Sequence, residues 1–229
     1  MKMKMERPSL TISTTIAVVA ISAACIWRTI KRSRSPVIQC KLSCNCGKVQ
    51  GYIAAKREDS IRIWCFCQDC QDYGAFVASQ DKHAKNIVGE YGESRVVQVC
   101  KSDLYIIQGQ DLLQLSRKSA TPTKNQLYMH RYYTKCCHTP LFQTVDFLGF
   151  VGVFLENLDQ AVIDQFDGPV AMMPEQARKL PPNMPPDIFV PHFLWKLIRY
   201  HPSRNLGPFD YDMNPTFWGD KKKTTLNTL

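Results

Sequence analysis

The chain is short of acidic side chains and of glycine. Only 20 Asp and Glu stand against 29 Lys and Arg, and its 11 glycines show no every-third-residue period, which excludes a collagen-like fibre. Mean hydropathy is −0.24, too low for several membrane spans, so a polytopic membrane protein is excluded as well. No internal repeat is present. The chain also lacks a Ser/His/Asp arrangement, a P-loop and a dinucleotide-binding glycine fingerprint, so none of those chemistries has a motif to rest on. What it does have is 45% hydrophobic and 10% aromatic residues in 229. That is globular rather than disordered, with one sizeable core in one domain, or one domain with an extension.

The net charge of +9 sits at the ends. Residues 1–35 carry seven basic side chains (Lys2, Lys4, Arg7, Arg28, Lys31, Arg32, Arg34) against Glu6, a net +6, and Lys221, Lys222 and Lys223 add +3. The stretch 36–220 is therefore neutral. A nucleic-acid groove needs its charge on one face of the fold, so this pattern disfavours nucleic acid as a partner.

Residues 10–27 (LTISTTIAVVAISAACIW) are eighteen in a row without a charge. As a helix they span about 27 Å, just short of a hydrocarbon core of roughly 30 Å. We read 1–35 as a basic-flanked N-terminal segment built on an apolar helix, a single-pass membrane anchor. A cleaved signal peptide, with Ser22, Ala23 and Ala24 near the cut, and an organellar presequence are the alternatives. The basic cluster after the segment is slightly larger than the one before it, which places the body on the reducing, cytosolic side.

Ten cysteines stand at 25, 40, 44, 46, 65, 67, 70, 100, 136 and 137. Seven of them are crowded: Cys44 and Cys46 as C-x-C, Cys65, Cys67 and Cys70 as C-x-C-x-x-C, and Cys136 beside Cys137. Such spacings bring sulfurs to one point, as a thiolate metal site needs, and are too tight for disulfides within a cluster. Zinc is the usual occupant where nothing signals redox chemistry. Seven thiols divide as four plus three: a closed structural site joining Cys44 and Cys46 to Cys136 and Cys137, and a triplet with one position left for water or substrate. The plainer alternative is that both sites are structural.

The segments Cys44-Asn45-Cys46-Gly47-Lys48-Val49, Cys65-Phe66-Cys67-Gln68-Asp69-Cys70 and Cys137-His138-Thr139-Pro140-Leu141-Phe142 resemble the three zinc motifs of the glutathione-dependent formaldehyde-activating and centromere protein V family, over about residues 38–155. The resemblance implies a zinc-bound β-tent of short antiparallel strands and two zinc ions. It assigns Cys44, Cys46 and Cys137 to a structural zinc, and Cys65, Cys67 and Cys70 to the zinc of a catalytic site. It implies carbon–sulfur lyase activity, in which a small thiol such as glutathione and a small carbonyl form an S-hydroxymethylglutathione-like adduct. The third motif departs from the family pattern, which would place a cysteine at Thr134. Cys136 then serves as the fourth structural ligand, with His138 and Cys40 as fallbacks. The Cys-Cys-x-Thr-Pro form and the Pro-rich tail resemble a divergent branch whose activity is undefined.

The body, 36–165, is expected to be mainly β. Strands are predicted over 47–55, 60–65, 95–100, 104–108, 112–115, 127–133 and 147–155. The pair 95–100 and 104–108 reads as a hairpin over Lys101, Ser102 and Asp103, with 112–115 continuing its sheet. A short turn or helix is expected over 73–79. Ten prolines from Pro169 to Pro215 make 166–229 a Pro-rich C-terminal extension, with one short helix over 191–200 and a basic tail. Tyr73, His130 and His138 are the candidate proton handlers. A second reading, a zinc-stabilised binding module at a membrane, would use the extension to engage a protein partner.

Overall fold

The computed structural model describes residues 35–81, 84–119, 129–145, 148–188 and 216–217. In chain order the strands are β1 (Val37–Ser43), β2 (Gln50–Lys56), β3 (Ile61–Cys65), β4 (Ser94–Cys100), β5 (Leu104–Gln108), β6 (Leu113–Arg117), β7 (Met129–Thr134), β8 (Pro140–Val145), β9 (Phe150–Phe154), β10 (Val170–Met172) and β11 (Thr216–Phe217). One α-helix among the described residues, α1 (Gln68–Gln80), follows β3 directly. The protein is mainly β, as its sequence predicts. The expected N-terminal helix over 10–27, the helix over 191–200 and the basic tail lie outside the described residues. Among the described residues no helix is long and apolar enough to cross a membrane.

Two sheets form. A three-stranded sheet has the order β1-β2-β5, and an eight-stranded sheet has the order β10-β3-β4-β9-β8-β7-β6-β11. Neighbours are antiparallel except β10 on β3 and β11 on β6, which are parallel. Strand β1 alternates strictly: Ile38, Cys40 and Leu42 are buried while Gln39, Lys41 and Ser43 face out. Its buried residues join Ile53 and Ala55 of β2, Leu104 of β5, Val97 and Val99 of β4, and Tyr132, Phe142, Val151 and Val153 in one core to which both sheets contribute. A second core lies under α1, where Tyr73, Phe76 and Val77 pack on Ile61, Ile63, Val96 and Phe154. Val96 and Val97 are adjacent yet both buried, because successive side chains of a strand face opposite sides and β4 is covered on both.

The predicted hairpin between 95–100 and 104–108 does not form. β4 pairs with β3 and β9, whereas β5 pairs with β2 in the other sheet. The cause is the connecting 3-10 turn Lys101–Asp103, which is tied to the residues that flank the connection between the neighbouring strands β8 and β9. The Lys101 backbone N–H donates to the Gly149 carbonyl at 2.8 Å, and its buried ammonium donates to the Val145 carbonyl at 2.9 Å. So anchored, the chain leaves the large sheet and joins β2 in the three-stranded one instead of folding back on β4. The short element expected over 73–79 is a helix of 13 residues that begins inside the cysteine triplet. Past 165 the chain keeps contributing to the body: Phe166 is in the first core, and β10 lies at the sheet's edge, where a Pro-rich stretch is tolerated.

Candidate metal centres

The turn between β1 and β2 presents Cys44 and Cys46. The Gly47 N–H donates to the Cys44 carbonyl at 3.0 Å, and Gly47 takes φ +74°, the left-handed conformation that closes so tight a turn. The turn between β7 and β8 presents Cys136 and Cys137, closed by the His138 N–H on the Thr134 carbonyl at 2.9 Å. The two turns meet. All four sulfurs lie within 4.8 Å of one another, with Cys44–Cys46 at 3.6 Å, Cys44–Cys136 at 4.0 Å, Cys46–Cys136 at 3.4 Å and Cys136–Cys137 at 3.8 Å. Four sulfurs held about 2.3 Å from one tetrahedral metal ion would stand about 3.8 Å apart, so this cluster has the dimensions of a closed thiolate site.

Thr134, where a fourth cysteine was expected by resemblance, supports the cluster instead of ligating. Its hydroxyl lies 3.3 Å from the Cys137 sulfur, and the Thr139 hydroxyl lies 3.1 Å from the same atom. Burial raises the Cys137 pKa, but these hydroxyls and the Cys46 N–H and thiol outweigh it and bring it down to about 6. Burial and the Cys46 thiol push Cys136 up to about 12. The two fallback ligands go elsewhere. Cys40 is wholly buried and directs its thiol to the Asp159 carbonyl at 3.7 Å, and His138 turns to Asp81, 3.7 Å away.

The second cluster is written into one short segment. Cys65 ends β3, Cys67 is the N-cap of α1, and Cys70 sits in the helix's first turn. The Cys67 sulfur accepts from the Cys70 N–H at 3.4 Å, and Cys65 and Cys70 have their sulfurs 3.8 Å apart. The three sulfurs lie within 4.8 Å of one another, and among the described residues no fourth cysteine, histidine or carboxylate joins them. Cys65 and Cys70 are buried whereas Cys67 is partly exposed, so the cluster meets solvent along Cys67. Strand β10 and the residues after it lie beside it. The Phe66 N–H donates to the Met172 carbonyl, and the Gln176 side chain accepts from the Gln68 N–H at 2.8 Å.

Within this triplet the thiols of Cys65 and Cys67 both hydrogen-bond to Cys70. Those bonds, against burial and with Arg131 alongside, hold Cys70 well below the usual thiol range. Cys67 and Cys70, together with burial, raise Cys65. For Cys67 the bond to Cys65 favours the thiolate, but Cys70 and burial prevail and push it up to about 11. Arg131 on β7 is 1% exposed; its Nη2 lies 3.8 Å from the Cys70 sulfur and 2.5 Å from Asp69, and its guanidinium covers the Tyr73 ring at 4.9 Å. Asp69 and Asp72 share Lys118, at 3.2 and 3.3 Å.

All seven cysteines singled out by spacing are thus gathered into a four and a three. The candidate proton handlers are not gathered with them. Tyr73 is fully buried under Arg131, and desolvation raises its phenol above the usual range. His130 lies buried beside Arg117, and His138 stacks on Tyr133. Sequence reasoning passed over Arg131 and Asp69. The available signals were an arginine inside the aromatic run LYMHRYY and an acid between two cysteines of the triplet.

Fold and site define a class: a mainly β protein of two sheets carrying two cysteine clusters able to hold metal ions. A family model for DUF6151, a family of unknown function, matches residues 35–221, and the chain belongs to that family. No curated protein matches it.

Proposed function

We propose that the protein is a two-zinc member of the formaldehyde-activating and centromere protein V type, with a β-tent fold, acting on a glutathione-type thiol and a small carbonyl as a carbon–sulfur lyase. Its structural zinc is assigned to Cys44, Cys46, Cys136 and Cys137, and its second zinc to Cys65, Cys67 and Cys70. The observation that carries this reading is the division of the sulfurs. Four close on one another at the tetrahedral spacing, while three stand together with no fourth protein donor among the described residues. Zinc on three thiolates lowers the pKa of a thiol that joins it, and so supplies a thiolate nucleophile at neutral pH.

The chain's own groups bind, orient and exclude water. Cys65 and Cys70, both buried, keep water from the inner side of the triplet, and partly exposed Cys67 marks the side from which a substrate thiol arrives. The N-cap at Cys67 fixes two of the three sulfurs to the start of α1, so their separation is set by helix geometry. The N-terminal segment over 10–27 is assigned as a single-pass anchor with the domain on the cytosolic side, and the C-terminal extension as the surface open to a protein partner.

Native mass spectrometry of the chain beside its C65S/C67S/C70S variant, with and without glutathione, tests this. Two zinc ions falling to one in the variant, with a glutathione adduct only in the wild type, is the expected result. Two zinc ions with no adduct would favour the binding module. One zinc or none in the wild type would overturn the assignment.

A further inference from the structure

Arg131 is unusual in its placement. It sits mid-strand on β7, paired on one side with Ser116 of β6 and on the other with Gln143 of β8, so its backbone is fixed by two neighbours. Among the described residues it is the largest buried side chain, and its guanidinium meets three groups: Asp69 at 2.5 Å, the Tyr73 ring at 4.9 Å and the Cys70 sulfur at 3.8 Å. An arginine keeps its charge under any accessible condition, so this is a permanent cation against one of the three sulfurs.

Formally the surrounding charges cancel, since Arg131 and Lys118 balance Asp69 and Asp72. Their screening differs. Asp69, Asp72 and Lys118 have side chains 35%, 27% and 36% exposed, whereas Arg131 is 1% exposed. Solvent weakens the field of the outer three far more than that of the buried guanidinium. Lys118 also draws the charge of Asp69 outward by sharing it. The triplet therefore lies in a net positive local field. Three thiolates and a divalent ion sum to −1, and adding a fourth anion in a mostly buried place is costly unless a cation offsets it.

We propose that Arg131 is a positioning residue for the Cys65, Cys67 and Cys70 site. Through its contact with Cys70 it biases the fourth ligand toward anions, so that a thiolate is taken in preference to a neutral donor. The inference rests on the metal-binding reading of the triplet, and names the charge class of the ligand that the site accepts.

The test uses the full chain loaded with cobalt(II), whose visible absorption reports a change of ligand. Wild type, R131M, R131K and D69N are titrated at constant ionic strength with azide as the anion and imidazole as the neutral donor. Two cobalt ions per chain in each variant show that both clusters are intact. R131M should weaken azide binding by about tenfold, equivalent to about 1.4 kcal/mol, and leave imidazole within about threefold. D69N, which removes the acid opposing Arg131, should strengthen azide binding, and R131K should keep most of the anion preference. A purely structural Arg131 would move both ligands together, and that result, or no change in either, overturns the proposal. Should R131M fail to hold both ions, the opposite sign required of D69N decides the matter. A wild-type triplet that takes no cobalt overturns the metal reading as well, whereas a loaded triplet with no azide effect overturns the role of Arg131 alone.

Discussion

Asp103 shows how a single side chain in this fold is set by its surroundings. Burial, reinforced by the Asp59 carboxylate, pushes its carboxyl from 3.8 up to about 6, against the Ser102 hydroxyl and the Cys100 backbone, which favour the ionised form. A folded-state pKa above the unfolded value means that the neutral acid is the form the fold prefers. That contribution is fully present below about pH 4 and is lost as the pH rises through about 6. D103N removes the charge and keeps an acceptor for the Cys100 N–H. It should raise the melting temperature at pH 7.5 by about 2–4 °C and leave it unchanged at pH 4, as thermal denaturation at the two pH values would show. That corresponds to about 1 kcal/mol, well below the full two-unit shift because the carboxyl is partly solvated. The site cysteines behave differently from Asp103: they are legible from spacing alone, since thiols one and two residues apart have few other uses. Arg131 and Asp69 act through contacts between β7 and α1, 62 residues apart, and no local pattern carries that distance.

Two glycines separate turn strain from strand packing at the scale of elements. Gly51 lies in β2 against β5, and a Cβ there would fall 2.1 Å from the Tyr105 carbonyl oxygen, a backbone atom that cannot swing aside. G51A should therefore push β5 from β2 and cost about 3 kcal/mol. Gly47 needs its positive φ, yet a Cβ there meets nothing within 4 Å, so G47A should cost only about 1 kcal/mol. Urea denaturation of the two variants side by side checks the ratio. The same elements show what sequence can and cannot convey. Strands β4 and β9 are legible because runs such as RVVQVC and FVGVF are apolar on both faces, as a doubly covered sheet demands. Strand β8 is not, since PLFQTV is buried throughout but mixes Gln and Thr with its apolar residues. Helix α1 is recognisable only from Tyr73 onward because its first turn, Gln68-Asp69-Cys70, is composed for the cluster and not for helical periodicity. The misassigned hairpin has a third cause: pairing of β5 with β2 depends on Lys101 reaching Val145, a contact 44 residues away.

For the whole molecule the two clusters differ in how much chain they close. Cys46 and Cys136 are 90 residues apart and bring the end of the small sheet to the β7–β8 turn of the large one, whereas Cys65 and Cys70 are 5 apart and join a strand to the helix it runs into. Treating each metal clip like a covalent cross-link, the loop-closure entropy removed from the unfolded chain is worth about 4.6 kcal/mol for the first and about 2 kcal/mol for the second. Binding energy of the ions themselves enters both in the same way. C46S/C136S should therefore lower the melting temperature by about 5–10 °C more than C65S/C70S does, each variant first shown by metal analysis to have lost one ion. Calorimetry of the two loaded variants measures the difference directly. Equal losses would mean that the first cluster is not what holds the β1–β2 turn to the large sheet, and the buried side chains shared by the two sheets would have to do so alone. A larger loss for C46S/C136S, with a smaller one for C65S/C70S, would assign most of the clips' stability to the cluster that joins the two sheets and the lesser part to the one that Arg131 touches at Cys70.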